Sequence, residues 1–167
     1  MNSNDKTENY SVQNLDVVDI KLLNLLQTSS NMTTKELAKL VNLSPTPVFE
    51  RIKRLEKNGF IKKYVAVLDA DKLDRGLIVF CNITLKQHSK EIGHQFVEEI
   101  TALEEVTECY NISGDYDFLL KVLVRDMKHY QDFVFNRLGA VNNVGSAHST
   151  FVMAEIKHTH AVPLGEG

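Results

Sequence analysis

Apolar and polar positions alternate with two different periods along this chain, and the change of period divides it. From Leu15 to about Thr28, Val18, Leu22, Leu25 and Leu26 recur at helical spacing, with Asp16 and Asp19 in the first turn, where the helix dipole favours negative charge. A second, short helix, KELAKLV, follows Thr33 or Thr34 as N-cap, with Glu36 placed as in a capping box and Leu37 and Leu40 or Val41 facing inward. Asn42-Leu43-Ser44 turns the chain into a third helix within LSPTPVFERIKRLEKNGFIKK, Leu43 to Lys63. Ser44 is its N-cap, with a hydroxyl able to accept from first-turn N–H groups, and Pro45 and Pro47 fall in the first turn, where a missing N–H costs nothing. Gly59 stands where a left-handed C′ residue ends a helix. Val48, Ile52 and Leu55 form a narrow apolar stripe, while Thr46, Glu50, Lys53 and Lys57 project from the opposite side, with Arg54 beside them and Arg51 near the stripe's edge. Two helices joined by a short turn, the second basic, form a helix-turn-helix pattern.

After Gly59 the period becomes two. Ile61 to Leu68 alternates as a strand-like connector, and the charged stretch Asp69–Gly76 is a hinge. Beyond it the order is β-α-β-β-α-β: a strand over Leu77–Lys86, a helix capped by Ser89 with Ile92, Phe96, Ile100 and Leu103 on one face, strands over Val106–Ile112 and Phe118–Val124, a helix capped by Asp126 carrying Met127, Tyr130, Phe133, Val134 and Leu138, and a strand from about Ser146 to Ile156. This predicts an α+β chain: an N-terminal winged helix-turn-helix domain, then a ferredoxin-like βαββαβ domain. The divisions are a mobile arm at 1–14, the helix-turn-helix domain at 15–64, connector and hinge at 65–76, the ferredoxin-like domain at 77–157, and a solvated tail at 158–167. The first and third strands carry apolar residues on both faces (Ile78 and Phe80, Leu119 and Leu123 on the second), and two helices cover only one. A homodimer through the other face is expected.

Charge sharpens this picture. The chain has 167 residues, 43% hydrophobic and 25% charged, with a net charge of −3. Between Thr33 and Lys63, however, eight cations stand against three anions, a local +5. A basic head on an acidic body fits a polyanion partner. Lys53, Arg54, Lys57, Lys62 and Lys63 are placed to neutralise phosphates, and Thr46, Pro47, Glu50 and Arg51 to approach major-groove base edges. On this reading Arg51→Ala and Arg54→Ala each weaken DNA binding without loss of fold. The start of the chain has neither a signal-peptide pattern nor a span, and no apolar run reaches membrane-spanning length. Cys81 and Cys109 lie in apolar runs on non-neighbouring strands and are read as buried reduced thiols, consistent with a cytoplasmic protein. His158 and His160 at i, i+2 make no metal site in a solvated tail, and His88, His94 and His129 lack partners at ligand spacing. No cofactor motif or nucleophile–base pair is present, so an enzyme built on Asp115, Asp117 and His148 is set aside.

The S-P-T-P helix start joined to ERIKRLEKNGFI, preceded by LDVVDIKLLNLLQ and followed by SGDYDFLLKV, resembles the leucine-responsive regulatory protein family (Lrp/AsnC, or feast/famine, transcription regulators) from about Leu15 to Lys157. The resemblance implies a nucleoid-associated regulator that binds double-stranded DNA as a dimer, assembles into tetramers, octamers or larger rings, and responds to an amino acid. It assigns recognition to the helix from Ser44 to Asn58. It assigns effector binding to the loop with Gly114, Asp115, Tyr116 and Asp117, with Ser149, Thr150 and Phe151 of the last strand beside that pocket. A carboxylate suits the effector's ammonium and loop N–H groups its carboxylate. Ala147 replaces the hydroxyl residue common in relatives, and the apolar wall of Phe151 and Val152 favours leucine or methionine. The alternative is an architectural DNA-wrapping protein without an effector.

Overall fold

The computed structural model describes residues 14–165, so the expected arm, apart from Asn14, lies outside the described residues. The described residues form two compact units: one holds those up to Val67 together with those from Lys157 on, the other is Leu68–Ile156. In the first unit α1 is Val17–Thr28, α2 Thr34–Leu40 and α3 Pro45–Lys57. Capping chemistry sets their starts. Asp16 is the N-cap of α1 rather than a first-turn residue: its Oδ1 accepts from the Asp19 N–H at 2.9 Å, and Asp19 Oδ2 accepts from the Asp16 N–H at 3.3 Å. Thr33 caps α2 reciprocally with Glu36, whose carboxyl the Thr33 hydroxyl and N–H hold below its usual range. Ser44 occupies the N-cap of α3, but its hydroxyl makes no capping bond. The residue three positions on is Pro47, which has no N–H to give. At the other end Gly59 (φ 76°) closes a Schellman motif, with Phe60 N–H donating to Leu55 O and Gly59 N–H to Glu56 O, both at 3.0 Å. Leu22, Leu26, Leu37, Val41, Val48, Ile52 and Leu55 are buried between the helices, whereas Leu40 is exposed; of the two α2 alternatives it is Val41 that faces inward.

The structure refines two expectations for this unit. The connector 61–68 makes no strand ladder among the described residues. The tail is exposed, as expected, but also tethered: the Gln27 amide donates to Val162 O at 3.0 Å and accepts from Val162 N–H at 2.9 Å, a paired contact that ties the tail to α1.

The second unit contains β1 (Leu77–Leu85), α4 (Lys90–Thr101), β2 (Val106–Asn111), β3 (Phe118–Val124), α5 (Met127–Asp132) and β4 (Val144–Phe151). The strands are antiparallel in the order β2-β3-β1-β4, the split arrangement the alternating pattern predicts. Val79, Cys81, Ile83, Leu120, Val122 and Val124 face the helices and form the core with Phe96, Ile100, Tyr130, Phe133 and Leu138. Ile78, Phe80, Leu119 and Leu123 lie half-buried on the other face. Cys81 and Cys109 both pair with Leu120, from opposite sides, and remain free thiols; Cys109 is only half-buried. β4 stops at Phe151, short of the expected Ile156. Its only neighbour, β1, begins at Leu77, so the last ladder bond is Val152 N–H to Ile78 O. The final helix is also shorter than its apolar pattern suggests. It passes into a π turn at Phe133–Arg137 and a 3₁₀ turn at Leu138–Ala140, and Met127, at its first position beside exposed Arg125 and Asp126, is itself exposed.

A buried carboxylate ties α1 to α3. Asp19, with a side chain 1% exposed, accepts from Arg51 at 2.8 Å and from Arg54 at 2.6 Å; Arg51 also donates to Asp16 at 2.6 Å. Arg51 is thus part of the head's framework, and its removal should not be neutral for folding. Because Arg51 serves two acceptors and is half as exposed as Arg54 (25% against 50%), Arg51→Ala should destabilise the first unit more than Arg54→Ala. Removing both leaves a buried charge uncompensated, at a cost of roughly 3–5 kcal/mol. Hydrogen exchange of the α1 and α3 amides through a urea series measures this; equal and negligible losses of protection would refute the ranking.

Candidate functional site

The surface of α3 divides into three arcs. Val48, Ile52 and Leu55 point into the head. Pro47 is half-buried, and on the same flank Arg51 and Arg54 turn toward α1 and its acidic residues. The third arc is open to solvent and presents Thr46, Phe49, Glu50, Lys53 and Lys57. Ser44, at the start, is exposed as well.

Of the residues the sequence proposes for DNA, the fold therefore keeps Thr46, Glu50, Lys53 and Lys57 together and draws Arg51 and Arg54 aside. Lys53 donates to Glu56 at 2.7 Å, and its ammonium lies 5.8 Å from the centre of the Phe49 ring. Glu56 also accepts from the Tyr64 hydroxyl at 3.1 Å, and partial burial followed by this bond pushes the Tyr64 phenol up to about 12. Lys57, Lys62 and Lys63 are exposed and make no ion pair among the described residues, so three cations are presented without a competing carboxylate. Phe49 was not among the sequence candidates. Its hydrophobic character groups it with the stripe, and only the helical angle separates it from Val48.

In the second unit the loop between β2 and β3 is organised around Asp117. Its Oδ2 accepts from the Leu85 N–H at 2.7 Å, and its carboxylate meets His88 Nε2 at 3.0 Å. Its carbonyl accepts from Ile112 N–H and from the Asn111 side chain, and its N–H donates to Ile83 O. Asp117 is thereby pinned to the end of β1, and of the two loop carboxylates only Asp115 is exposed. Gly114 (φ 119°) supplies the turn that sets Asp115 outward. Tyr116 stacks on His148 with ring centres 6.2 Å apart, a contact across the sheet that spacing along the chain could not reveal.

The three candidate residues of β4 do not line one surface. Ser149 meets the Tyr130 hydroxyl on the helix side, where Tyr130 also contacts Cys81 Sγ at 2.9 Å, and Phe151 packs edge-on against Tyr130 at 5.2 Å. Thr150, opposite Phe80, faces the other side, as the two-residue period of a strand requires. Burial pushes the Cys81 thiol up, opposed by its bonds to Tyr130 and Ser149, and burial likewise raises Cys109. Neither thiol is an activated nucleophile. Among the described residues no group of three or more His, Cys, Asp or Glu could hold a metal ion, and no helix is long and apolar enough to cross a membrane.

Comparison with known proteins agrees with this division. Residues 15–62 match a family described as winged helix-turn-helix DNA-binding, and residues 78–162 match the Lrp/AsnC ligand binding domain. The leucine-responsive regulatory protein of Haemophilus influenzae is 41% identical over 159 residues, 95% of this chain and 96% of that protein. The Escherichia coli K12 protein of the same name is 40% identical over 152 residues, 91% and 93% of the two chains. A Neisseria meningitidis transcriptional regulator crystallised as a complex with L-Met superposes with a TM-score of 0.86 at 35% identity, over 90% of this chain and 97% of that one. An AsnC family regulator from Agrobacterium tumefaciens gives the same TM-score at 37% identity over the same shares. With a DNA-binding head and a ligand-binding body both matched, the chain belongs to the Lrp/AsnC family of transcription regulators.

Proposed function

We propose that this protein regulates transcription by docking α3 in the major groove of its operator, and that an amino acid bound by the second unit modulates docking or assembly. The observation that carries the DNA reading is the solvent-facing arc of α3, where Thr46, Glu50, Lys53 and Lys57 stand together beside Lys62 and Lys63. Lysines fix position on the phosphates, and Thr46 and Glu50, in the first half of the helix, are placed for base edges. Arg51 and Arg54 act by holding the helix in place. The Ser44 hydroxyl, unused by the helix, is a further phosphate donor.

For the effector, Asp115 is the carboxylate placed for an ammonium group, with Gly114 and Tyr116 shaping the loop. The L-Met complex of the Neisseria relative supports methionine, and the names of the curated relatives support leucine. Asp117 has a supporting role, since its oxygens are engaged by Leu85 and His88. The open face carrying Ile78, Phe80, Leu119 and Leu123 is where a second copy packs, giving a homodimer able to assemble further; such a regulator works in the cytoplasm, on the nucleoid, and is not a catalyst.

Two measurements check this reading. In fluorescence anisotropy across a salt series, Lys57→Ala should lower the slope of log K against log salt by about 0.9, the loss of one phosphate contact, while Arg54→Ala should leave the slope unchanged. A change for Arg54 with none for Lys57 would reverse the assignment. In isothermal titration the assembled protein should give saturable heat with methionine or leucine, which Asp115→Asn removes and Ser113→Ala retains. Silence across all twenty amino acids would leave an architectural protein without an effector.

A further inference from the structure

The solvent-facing arc of α3 has a chemistry that narrows what it can read. We propose that Phe49 is a specificity-determining residue that packs on thymine C5-methyl groups in the major groove, an inference that rests on the DNA-binding role given above to α3.

The helix does not need Phe49 for its core. Val48 and Leu55 are fully buried and Ile52 nearly so, whereas Phe49, one residue beyond Val48, is 51% exposed. It is the fifth residue of α3, in the half of a recognition helix that approaches base edges, and Thr46 and Lys53 stand three residues before and four after it on the same side. The large apolar ring is therefore held at the surface where the local charge is strongly positive, with the Lys53 ammonium 5.8 Å from its centre.

The ionic contacts of the helix decide the partner. Guanine is most often read by an arginine reaching O6 and N7 together, but both arginines of α3 donate to Asp19. Lys53 is engaged by Glu56. What the first half of the helix retains for base edges is a hydroxyl, a carboxylate and an aromatic ring, from Thr46, Glu50 and Phe49. The one apolar group that projects from the major-groove edge of B-DNA is the thymine methyl, and an aromatic ring is a fit for it. The ring cannot serve as a phosphate contact, so its exposure on this arc is explained by base reading rather than by affinity for the backbone.

The test uses the full-length protein. Sites are first selected from a random duplex library, and each thymine of the selected duplex is then replaced singly by deoxyuridine, which removes the methyl and keeps the pairing. Wild-type protein should lose about fourfold in affinity at one or two positions per half-site, the effect of one buried methyl. Phe49→Ala should bind the parent duplex roughly three- to tenfold more weakly and be indifferent to deoxyuridine at those same positions, and Phe49→Leu should restore part of both, with circular dichroism confirming that each variant is folded. Undiminished deoxyuridine sensitivity in Phe49→Ala, or none in the wild type, would overturn the proposal while leaving the DNA-binding role intact. Failure of the wild type to enrich any sequence would remove that role and this inference together.

Discussion

The DNA-binding head depends on one carboxylate. Asp19 closes the capping box that starts α1 and, through the same side chain, receives Arg51 and Arg54 from α3. A carboxylate as buried as this one would be strongly unfavourable alone, since several kcal/mol of hydration are lost. Two guanidinium groups and a backbone N–H together compensate it. Their geometry also constrains the helix: arginines at positions three apart on one flank of α3 can both reach a single acceptor only if that flank faces α1. The apolar stripe sets how deeply α3 sits, and the ionic contact sets its rotation about its own axis. It is that rotation which leaves Thr46, Phe49, Glu50, Lys53 and Lys57 to solvent.

The second unit is constrained by alternation. Once Val79, Cys81 and Ile83 face the helices, their neighbours must face away, and the same logic fixes Ser149 and Phe151 on one side of β4 and Thr150 on the other. The seven residues that the resemblance gives to effector binding thus fall on four parts of this unit. Asp117 belongs to the join between the loop and β1, Ser149 and Phe151 to the packing around Tyr130, and Thr150 to the open face. Asp115 is left as the outward-facing acid of the loop, with Tyr116 against His148 beside it.

Local rules were legible in the sequence where they act alone. Pro45 and Gly59 mark the limits of α3, Thr33 and Glu36 the start of α2, and the pattern of Phe118–Val124 an entire strand with its burial. They failed where a distant partner decides. Asp19 reads as a dipole residue until Arg51, 32 positions away, meets it. β4 ends where β1 begins rather than where its own apolar residues stop, and Gln27 holds a tail 135 residues downstream. The Ser44 cap is a different kind of miss. The missing N–H of Pro47 was written in the sequence, and two individually favourable signals, a serine N-cap and a first-turn proline, exclude each other at that spacing.

The same accounting sorts the candidate site. A charged side chain already engaged by two or three charge-assisted hydrogen bonds can be redirected to a ligand only by giving them up, and each contributes about 1.5–3 kcal/mol. Arg51 and Asp117 fall in this class, whatever roles the sequence suggests for them, as does Asp19. Glu50, Lys57 and Asp115 are exposed, and a new partner reaches them at little cost. Residue type and spacing nominate both classes equally. What separates them is whether the fold has already used the charge: on α3 Arg51 is committed to Asp16 and Asp19, Arg54 gives Asp19 a single bond and stays half exposed, and Phe49 stands on the open arc with its ring half exposed.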